Sequence, residues 1–433
     1  MRTLTSLSLA AAVIPLSSAY PWALNIANGE GNAAEISEAV TSTLSKRADG
    51  GTCPVHLLRK GAAPYSDVYP SKYTGAKNGL PGTGKGGVLV PAKGDTAHAY
   101  VKPSASDDQF RNPVLTINLP PHSPGLNTLA NHNFISHDGQ TTFTEMVDAA
   151  QNVYNWKYDL ATFVATVGVA QDGDPLTQTM SIGCAGGLPK SGTGLQTHNK
   201  FEVDASLART DYALSPTGDA YTVNGTLFGE MIDTCADQKF SLECMAKYNQ
   251  QRFNESLNTN GQFFNGPFTF FVLGTSLLPM DSFANFKSGT GNPTVADMAA
   301  FWGMSQQSDG SWTYNRNEKL PQDWYNRPEA LSLSFIADQV FEQYDLYPTY
   351  LGGNTGEPNT FVGLNYPGFV EDGTLQDASP NGIICLLYQT VAIGVPTSLL
   401  QTLAQVSPAL DFLQSKLNSG FTANYGCKTG QNA

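Results

Sequence analysis

The chain has 433 residues, of which 41% are hydrophobic and 14% are charged, and its formal net charge is −13. This composition is typical of a globular protein with a substantial core and excludes an intrinsically disordered chain. The negative charge argues against nucleic acid as a partner, because binding to a phosphate backbone depends on clustered Lys and Arg.

The N-terminus has the pattern of a secretory signal peptide. Residues 1–19 contain one basic residue, then a largely apolar stretch, then small residues that end at Ala19. An ordinary N-terminal helix is the alternative, but Pro15 and the small-residue end are more typical of a processing site. Since no later apolar run approaches the roughly 20 residues that a membrane-spanning helix needs, we expect a secreted, extracellular protein with no membrane span.

A second processing signal follows the signal peptide. Residues 20–47 are rich in small and acidic residues and end in the dibasic pair Lys46-Arg47. This stretch is either a pro-segment cut by a protease of the secretory route or a solvated linker with two chance basic residues. Residues 48–118, rich in Gly, Pro, Lys and Ser, predict a loop-rich N-terminal part with at most a hairpin.

Helical patterns begin after this part of the chain. Apolar residues at helical spacing predict a helix over 126–134, and Thr142 with Glu145 forms a capping box ahead of a helix over 143–154. Further helices are predicted over 158–170, 227–234, 241–257, 294–304, 328–343 (with Pro328 in its first turn) and 397–417. We therefore expect a mainly α fold with long loops and few short strands: one helical core over 119–346, with 347–433 as a C-terminal extension packed on it.

Six cysteines permit 15 disulfide pairings in an oxidising compartment. Cys235 and Cys244 are the easiest local pair, because a polar turn separates them. The chain contains no C-x-x-C and no H-E-x-x-H motif, which excludes the commonest zinc and dithiol sites. N-glycosylation motifs at Asn224 and Asn254 agree with secretion.

Two motifs point to a known family. They are "SPGLNTLANHNFISHDG", which begins at Ser123, and "FEVDASLARTDY", which begins at Phe201. They resemble the secreted fungal heme-thiolate peroxidases, the chloroperoxidase and unspecific aromatic peroxygenase family, over about residues 119–346. In that family a P-C-P loop precedes the first motif, and an acidic E-x-D followed by a serine forms the second. The resemblance implies a chloroperoxidase-like helical domain, heme b, and the use of hydrogen peroxide to oxidise small organic substrates.

The resemblance places Ser123 where the family has its thiolate ligand to heme iron. A thiolate pushes electron density onto the iron and favours O–O cleavage. A serine hydroxyl is far less acidic than a thiol with a pKa of about 8.5, so the loop keeps the family's shape without its ligand. His122 offers an imidazole as an alternative ligand, unless it is an ordinary exposed loop residue. Cys53 is another conceivable thiolate, although a disulfide is the more usual state for a secreted cysteine.

The second motif implies a divalent cation, usually magnesium, next to a heme propionate. Its ligands carry over to Glu202, the backbone carbonyl of Val203, Asp204 and Ser206, and such hard oxygen ligands suit magnesium. The alternative is a helix start at which Asp204 is the N-cap and Glu202 is solvated. Val203 also stands where chloroperoxidases have a distal histidine, and valine cannot transfer protons.

The family's distal proton-transfer groups are replaced as well. Alignment on Pro279 puts Thr275 at the position of the acid–base glutamate and Phe268 at the position of its arginine, and neither transfers protons. Glu243 and Glu255 lie nearby in sequence, but their spacing predicts a solvated helix face. The resemblance also predicts that Ser123 faces a cavity with Thr275 on its other side.

Two hypotheses follow for function. In the first, the protein is a peroxidase or peroxygenase with an altered proximal ligand that oxidises small organic compounds. In the second, it is a catalytically silent relative that binds heme or a small ligand. The histidines of the first motif, His132 and His137, are expected to have structural roles in either case.

Overall fold

The computed structural model describes most of the region from residue 123 to residue 394. The described residues are 61–63, 85–103, 123–182, 203–216, 218–220, 222–237, 239–288, 291–366 and 368–394, with Lys416 and Cys427. The predicted signal peptide, pro-segment, Cys53, His122 and Glu202 lie outside them, as does the predicted helix over 397–417 apart from Lys416.

Helices dominate this part of the chain, as the sequence predicts. They are α1 Pro124–Asn131, α2 Phe143–Tyr154, α3 Tyr158–Asp172, α4 Gly225–Cys235, α5 Leu242–Thr259, α6 Thr269–Leu278, α7 Val295–Phe301, α8 Leu333–Leu346 and α9 Pro380–Gly394, with a π-helical turn at Pro279–Phe283.

The strands are two or three residues long and pair antiparallel in small sheets. They are β1 Gln140–Thr142, β2 Gly173–Asp174, β3 Thr179–Ser181, β4 Phe264–Asn265, β5 Met304–Gln306, β6 Trp312–Tyr314, β7 Gly352–Gly353, β8 Val362–Gly363, β9 Val370–Glu371 and β10 Thr374–Leu375. The sheet orders are β1-β3-β2, β4-β7-β8, β5-β6 and β10-β9. Such short strands cannot form a layer of their own, so the fold is mainly α.

Capping explains where the first two helices begin and end. The predicted capping box of α2 is confirmed: Thr142 Oγ1 accepts from the Glu145 N–H at 3.1 Å, and the Glu145 carboxylate accepts from the Thr142 N–H at 3.4 Å. Helix α1 begins two residues before the predicted start, because Ser123 is its N-cap. It ends before the predicted residue 134, because Asn133 adopts the left-handed conformation with φ 59°.

Three other boundaries differ from the prediction. Helix α8 begins at Leu333 and not at 328, because Ser332 Oγ caps it by accepting from the Phe335 N–H at 3.2 Å. Pro328 is instead in the preceding loop, where its carbonyl accepts from the Asn155 side chain. Helix α7 ends at Phe301, ahead of Gly303 with φ 63°. Helices α6 and α9 were not predicted.

The helices enclose two hydrophobic clusters. The first is centred on α1, α2, α4 and α7, and the second on α3, α6, α8 and α9. Helix α2 packs on α3, and α8 packs on α5, α6 and α9. The main apolar cavity is lined by members of both clusters, so the packing of the two clusters against each other shapes the site.

Among the described residues, two disulfides involve the ends of helices or α9. The predicted pair Cys235–Cys244 is present, with a Cα–Cα distance of 5.6 Å. Cys385 of α9 is bonded to Cys427, 42 residues further along the chain, so a disulfide holds the C-terminal region to α9. Within the described residues, no helix combines the length and the apolar character needed to cross a membrane.

Candidate functional site

The main cavity lies between helices α1, α2, α3 and α6 and the loop 203–211. The space between its walls, counted together with its open mouth, is about 1220 Å³. Most of the described lining is apolar; examples are Leu126, Leu129, Met146, Phe271, Leu278 and Phe283. An apolar space of this size suits an organic molecule.

Ser123 and Thr275 both line this cavity, as the sequence predicts. Ser123 Oγ accepts from the Leu126 N–H at 3.4 Å and thereby caps α1. Thr275 Oγ1 donates to the Val272 carbonyl of its own helix at 2.9 Å. Both hydroxyls are therefore bonded to the helices that carry them.

Phe268 and Val203 are not brought into the cavity lining. Both are buried, with 9% and 8% of their surface exposed, and both belong to the second hydrophobic cluster. Phe268 immediately precedes α6 and lies seven residues before Thr275 in the chain. Phe268 and Val203 therefore pack in the hydrophobic core and do not face the cavity.

Asp204 is buried, and it does not begin a helix, so the N-cap alternative is wrong. Its Oδ2 accepts from the Phe264 N–H at 3.2 Å and from Asn260 Nδ2 at 3.4 Å. Asn260 Nδ2 also donates to Asp211 Oδ2 at 2.9 Å, which brings two carboxyl groups to one amide. Burial, together with the charge of Asp211, raises the pKa of Asp204 well above its ordinary value. A proton shared by the two carboxyl groups, or a cation bound between them, reduces the repulsion between their negative charges.

The cation hypothesis remains a prediction. Val203, Asp204 and Ser206 are all buried in the same turn, but Glu202 lies outside the described residues. Among the residues that the structure describes, no cluster of three or more His, Cys, Asp or Glu side chains is close enough to hold a metal ion.

Arg252 fixes the loop that carries these residues. Its Nε donates to the Ser206 carbonyl at 3.0 Å, and its Nη2 lies 3.8 Å from Asp211 Oδ1. Its Nη1 forms an ion pair with Glu255, whose side chain is 42% exposed. The predicted solvated face is confirmed for Glu243, which is exposed, whereas Glu255 is half-buried and pairs with Arg252.

Arg209 is a cavity residue that sequence reasoning missed. It lines the main cavity although only 8% of its surface is exposed. It is the one charged side chain among the described residues of that lining. The sequence offered one signal that Arg209 is buried: in "SLARTDY" the residues immediately beside it are small or apolar.

Glu318 is a second missed residue, and it holds helix α1. Its Oε1 accepts from the Tyr314 hydroxyl at 2.6 Å and from Asn127 Nδ2 at 3.2 Å, and its carbonyl accepts from Asn131 Nδ2 at 2.8 Å. Burial raises the pKa of Glu318 to about 7. Asn127 and Asn131 belong to the helix that Ser123 caps, so Glu318 stabilises one wall of the cavity from behind.

His132 has the structural role that was expected of it. Its Nδ1 lies 2.9 Å from the His98 carbonyl, and its Nε2 accepts from the Leu320 N–H at 3.2 Å. A neutral ring that donates from Nδ1 satisfies both contacts. The residue ties α1 to two distant segments and does not line the main cavity.

A heme group fits these residues only in part. The apolar walls suit a macrocycle, but Ser123, which the resemblance predicts at the family's thiolate position, has a hydroxyl that caps α1. No thiol and no imidazole lies among the described lining residues, and His122 is outside the described range. The described residues therefore do not supply the family's axial ligand.

Comparison with known proteins shows similarity to a family of peroxidases. Residues 122–329 match the family described as "Peroxidase, family 2". The chain is 28% identical over 347 residues to the aromatic peroxidase fscJ of Fusarium equiseti, covering 74% of this chain and 76% of that protein. It is 28% identical over 325 residues to the dothistromin biosynthesis peroxidase dotB of Dothistroma septosporum, covering 71% and 74%.

A further relative gives a similar match. The aromatic peroxygenase of Cyclocybe aegerita is 26% identical over 315 residues, covering 69% of this chain and 76% of that protein. The family match spans α1 to α7 and most of the cavity wall. In its motifs, its mainly helical fold and these relatives, the chain is similar to the fungal heme-thiolate peroxidases.

Proposed function

We propose that this protein is a catalytically silent member of the family that binds small organic molecules in the main cavity. One observation carries the proposal: the two positions that hold the family's reactive groups, Ser123 and Thr275, line the cavity with hydroxyls that cap or brace their own helices. Neither hydroxyl supplies an anionic iron ligand or an acid–base group.

The shape of the apolar space supports ligand binding. A second, smaller apolar space, the second chamber, lies between α3, α6, α8 and α9 and measures about 460 Å³ together with its opening. It shares Val164, Phe271, Thr275 and Leu278 with the main cavity, so the two spaces adjoin. The lining of the second chamber is apolar apart from Thr275, which suits the hydrocarbon part of an elongated ligand.

The peroxide chemistry of the family needs a proton-transfer group close to the reacting oxygen. The described lining of the main cavity contains neither a carboxyl group nor an imidazole. The buried carboxyls of Asp204 and Glu318 are bonded to other elements of the fold and do not line the cavity. The alternative, oxidation with an altered proximal ligand, depends on His122.

A spectroscopic experiment separates the two functions. The purified full chain is mixed with heme b, reduced and exposed to carbon monoxide, and absorbance is recorded for the wild type, Ser123→Cys and His122→Ala. We expect a thiolate-type band in Ser123→Cys alone, and little turnover of peroxide with aromatic substrates by the wild type. A thiolate-type band or efficient turnover in the wild type contradicts the proposal. Loss of a heme band in His122→Ala alone favours the imidazole-ligated alternative.

Ligand binding is tested separately with an apolar fluorescent probe. We expect saturable binding by the wild type and a loss of binding in Ala165→Trp, because Ala165 lines the main cavity. Leu176→Trp is the matched control, since Leu176 is 45% exposed and lies away from the cavity. Equal binding by both variants shows that the probe does not occupy this cavity.

A further inference from the structure

We propose that Gly274 keeps the second chamber open, and that this chamber takes the hydrocarbon tail of a ligand whose larger part occupies the main cavity. This inference rests on the proposed ligand-binding function. It adds the chemical class of the ligand, an elongated molecule that ends in an alkyl tail, and the residue that limits the length of that tail.

Gly274 lies inside helix α6, where glycine is an unfavourable residue. The helix runs from Thr269 to Leu278, and Gly274 is buried in its middle. Glycine in a helix interior is less favourable than alanine, because glycine loses more backbone freedom when the chain folds. Glycine is usually found at such a position because the backbone is left-handed there or because another group approaches too closely for a side chain.

Neither reason applies to Gly274. Its backbone is helical and does not have a positive φ. An added Cβ atom would meet Ile336 Cγ2 and Val340 Cγ2, each at 3.6 Å, which is an ordinary van der Waals distance. Gly225 is different, since an added Cβ there would collide with the Trp312 carbonyl oxygen. The packing of α6 on α8 therefore leaves room for alanine at position 274.

The absent side chain of Gly274 leaves space in the second chamber. Gly274 lines this chamber, and so do Ile336 and Val340, the two residues that an added Cβ would meet. A side chain at position 274 would thus project into the chamber, and a large one would fill it. The open volume is the consequence of glycine at this position that the geometry identifies.

The walls of the second chamber suit hydrocarbon. Helix α9 contributes Ile383, Ile384 and Leu387, and Thr275 is the one polar side chain among the described lining. The Thr275 hydroxyl donates to the Val272 carbonyl, so its hydrogen is already used. A polar group of a ligand would lose its hydrogen bonds to water here without gaining partners, and water itself needs polar partners to occupy a cavity.

The tail is continuous with a body in the main cavity. The two spaces share four lining residues, Val164, Phe271, Thr275 and Leu278. A molecule that fills both spaces extends past these residues, with its larger part in the larger space. The chamber ends at α8 and α9, and α9 is attached to Cys427 through the disulfide of Cys385. These walls set a limit to the length of the tail.

A series of 2-alkoxynaphthalenes, from methoxy to octyloxy, tests the tail site on the full chain. Binding is followed by naphthalene fluorescence, and the alkyl group is the only part that varies. For the wild type we expect affinity to rise roughly fourfold with each methylene group that enters the chamber, as is typical of apolar burial. The gain should stop once the chamber is full.

Variants at position 274 test the limit on tail length. We expect Gly274→Leu to abolish the gain with tail length while the affinity for 2-methoxynaphthalene is unchanged. Gly274→Ala should fold with a higher Tm than the wild type, because alanine favours the helix, and its gain should stop at a shorter tail.

Two other variants complete the test. Ile383→Ala enlarges the chamber from α9, so the gain should continue to longer tails. Ala296→Leu is the control for nonspecific binding of apolar probes, because Ala296 is exposed on α7 and lines neither space. Its dependence on tail length should match that of the wild type.

The outcomes distinguish the inference from the function on which it rests. Affinity that is independent of tail length overturns the tail site and leaves ligand binding intact. A dependence on tail length that is the same in the wild type, Gly274→Ala and Ile383→Ala also overturns it. A lower Tm for Gly274→Ala would show that packing requires this glycine and would overturn its assigned role. If no member of the series binds, both the tail site and the proposed ligand-binding function fail.

Discussion

Glu318 should make the stability of this protein depend on pH. The side chain is 2% exposed, and burial raises its pKa from 4.5 to about 7. The folded state therefore holds the proton more tightly than the unfolded state. Stability from this group is fully present below about pH 4.5 and is lost as the pH rises through about 7. The interval between the two pKa values corresponds to about 3 kcal/mol of unfolding free energy.

Glu318→Gln isolates this contribution. Glutamine has nearly the same shape, and its oxygen can still accept from the Tyr314 hydroxyl and from Asn127, but it does not titrate. The variant should therefore gain up to about 3 kcal/mol relative to the wild type between about pH 4.5 and about pH 8. Any fixed effect of the new NH2 group is the same at each pH and does not change this slope.

Urea unfolding followed by tryptophan fluorescence at several pH values measures the difference. Glu243→Gln is the control, because Glu243 is exposed and should change the curve little. Parallel plots of unfolding free energy against pH for the wild type and Glu318→Gln would refute the reasoning, because they would show that Glu318 has the same pKa in the folded and the unfolded chain.

Two further predictions concern the loop beside the cavity and the surface. Replacing Arg252 by Leu removes the cationic partner of the buried Asp211 and the donor to the Ser206 carbonyl. We expect the free energy of unfolding in urea to fall by about 3–5 kcal/mol. Glu255→Gln removes only the exposed ion-pair partner of Arg252 and should cost under about 1 kcal/mol. A glycan is expected at Asn254, which is exposed. Peptide mass spectrometry of the secreted protein checks this and should find Asn224 unmodified, because its side chain caps α4 and donates to Thr210; full occupancy at Asn224 would contradict the expectation.

Local signals predicted the parts of the fold that short-range contacts determine. The capping box of Thr142 and Glu145 fixed the start of α2, and the short loop between Cys235 and Cys244 indicated their disulfide. Helix α6 was missed because it is apolar on nearly every side, so it has no polar face to reveal a helical period. Pro328 suggested that α8 begins at residue 328, but the helix begins at Leu333 because Ser332 is its N-cap.

The site was predictable only where a family motif marked it. Ser123 and Thr275 were expected to face one cavity, and they do. Arg209 and Glu318 gave no comparable signal, because their significance depends on burial and on partners far away in sequence. Asn127, for example, is separated by 191 residues from the Glu318 carboxyl to which it donates. Only the packed helices bring such groups together.

Ser123 is the N-cap of helix α1, so a side chain of the protein itself stabilises the first turn of this helix. Four backbone N–H groups at a helix N-terminus lack partners within the helix, and the Ser123 hydroxyl accepts from one of them. Serine is among the residues most preferred for this task, and losing such a cap typically costs about 0.5–2 kcal/mol. No bond to iron is needed to fix this corner of the fold. We therefore expect the first turn of α1 to form in the same way with and without heme.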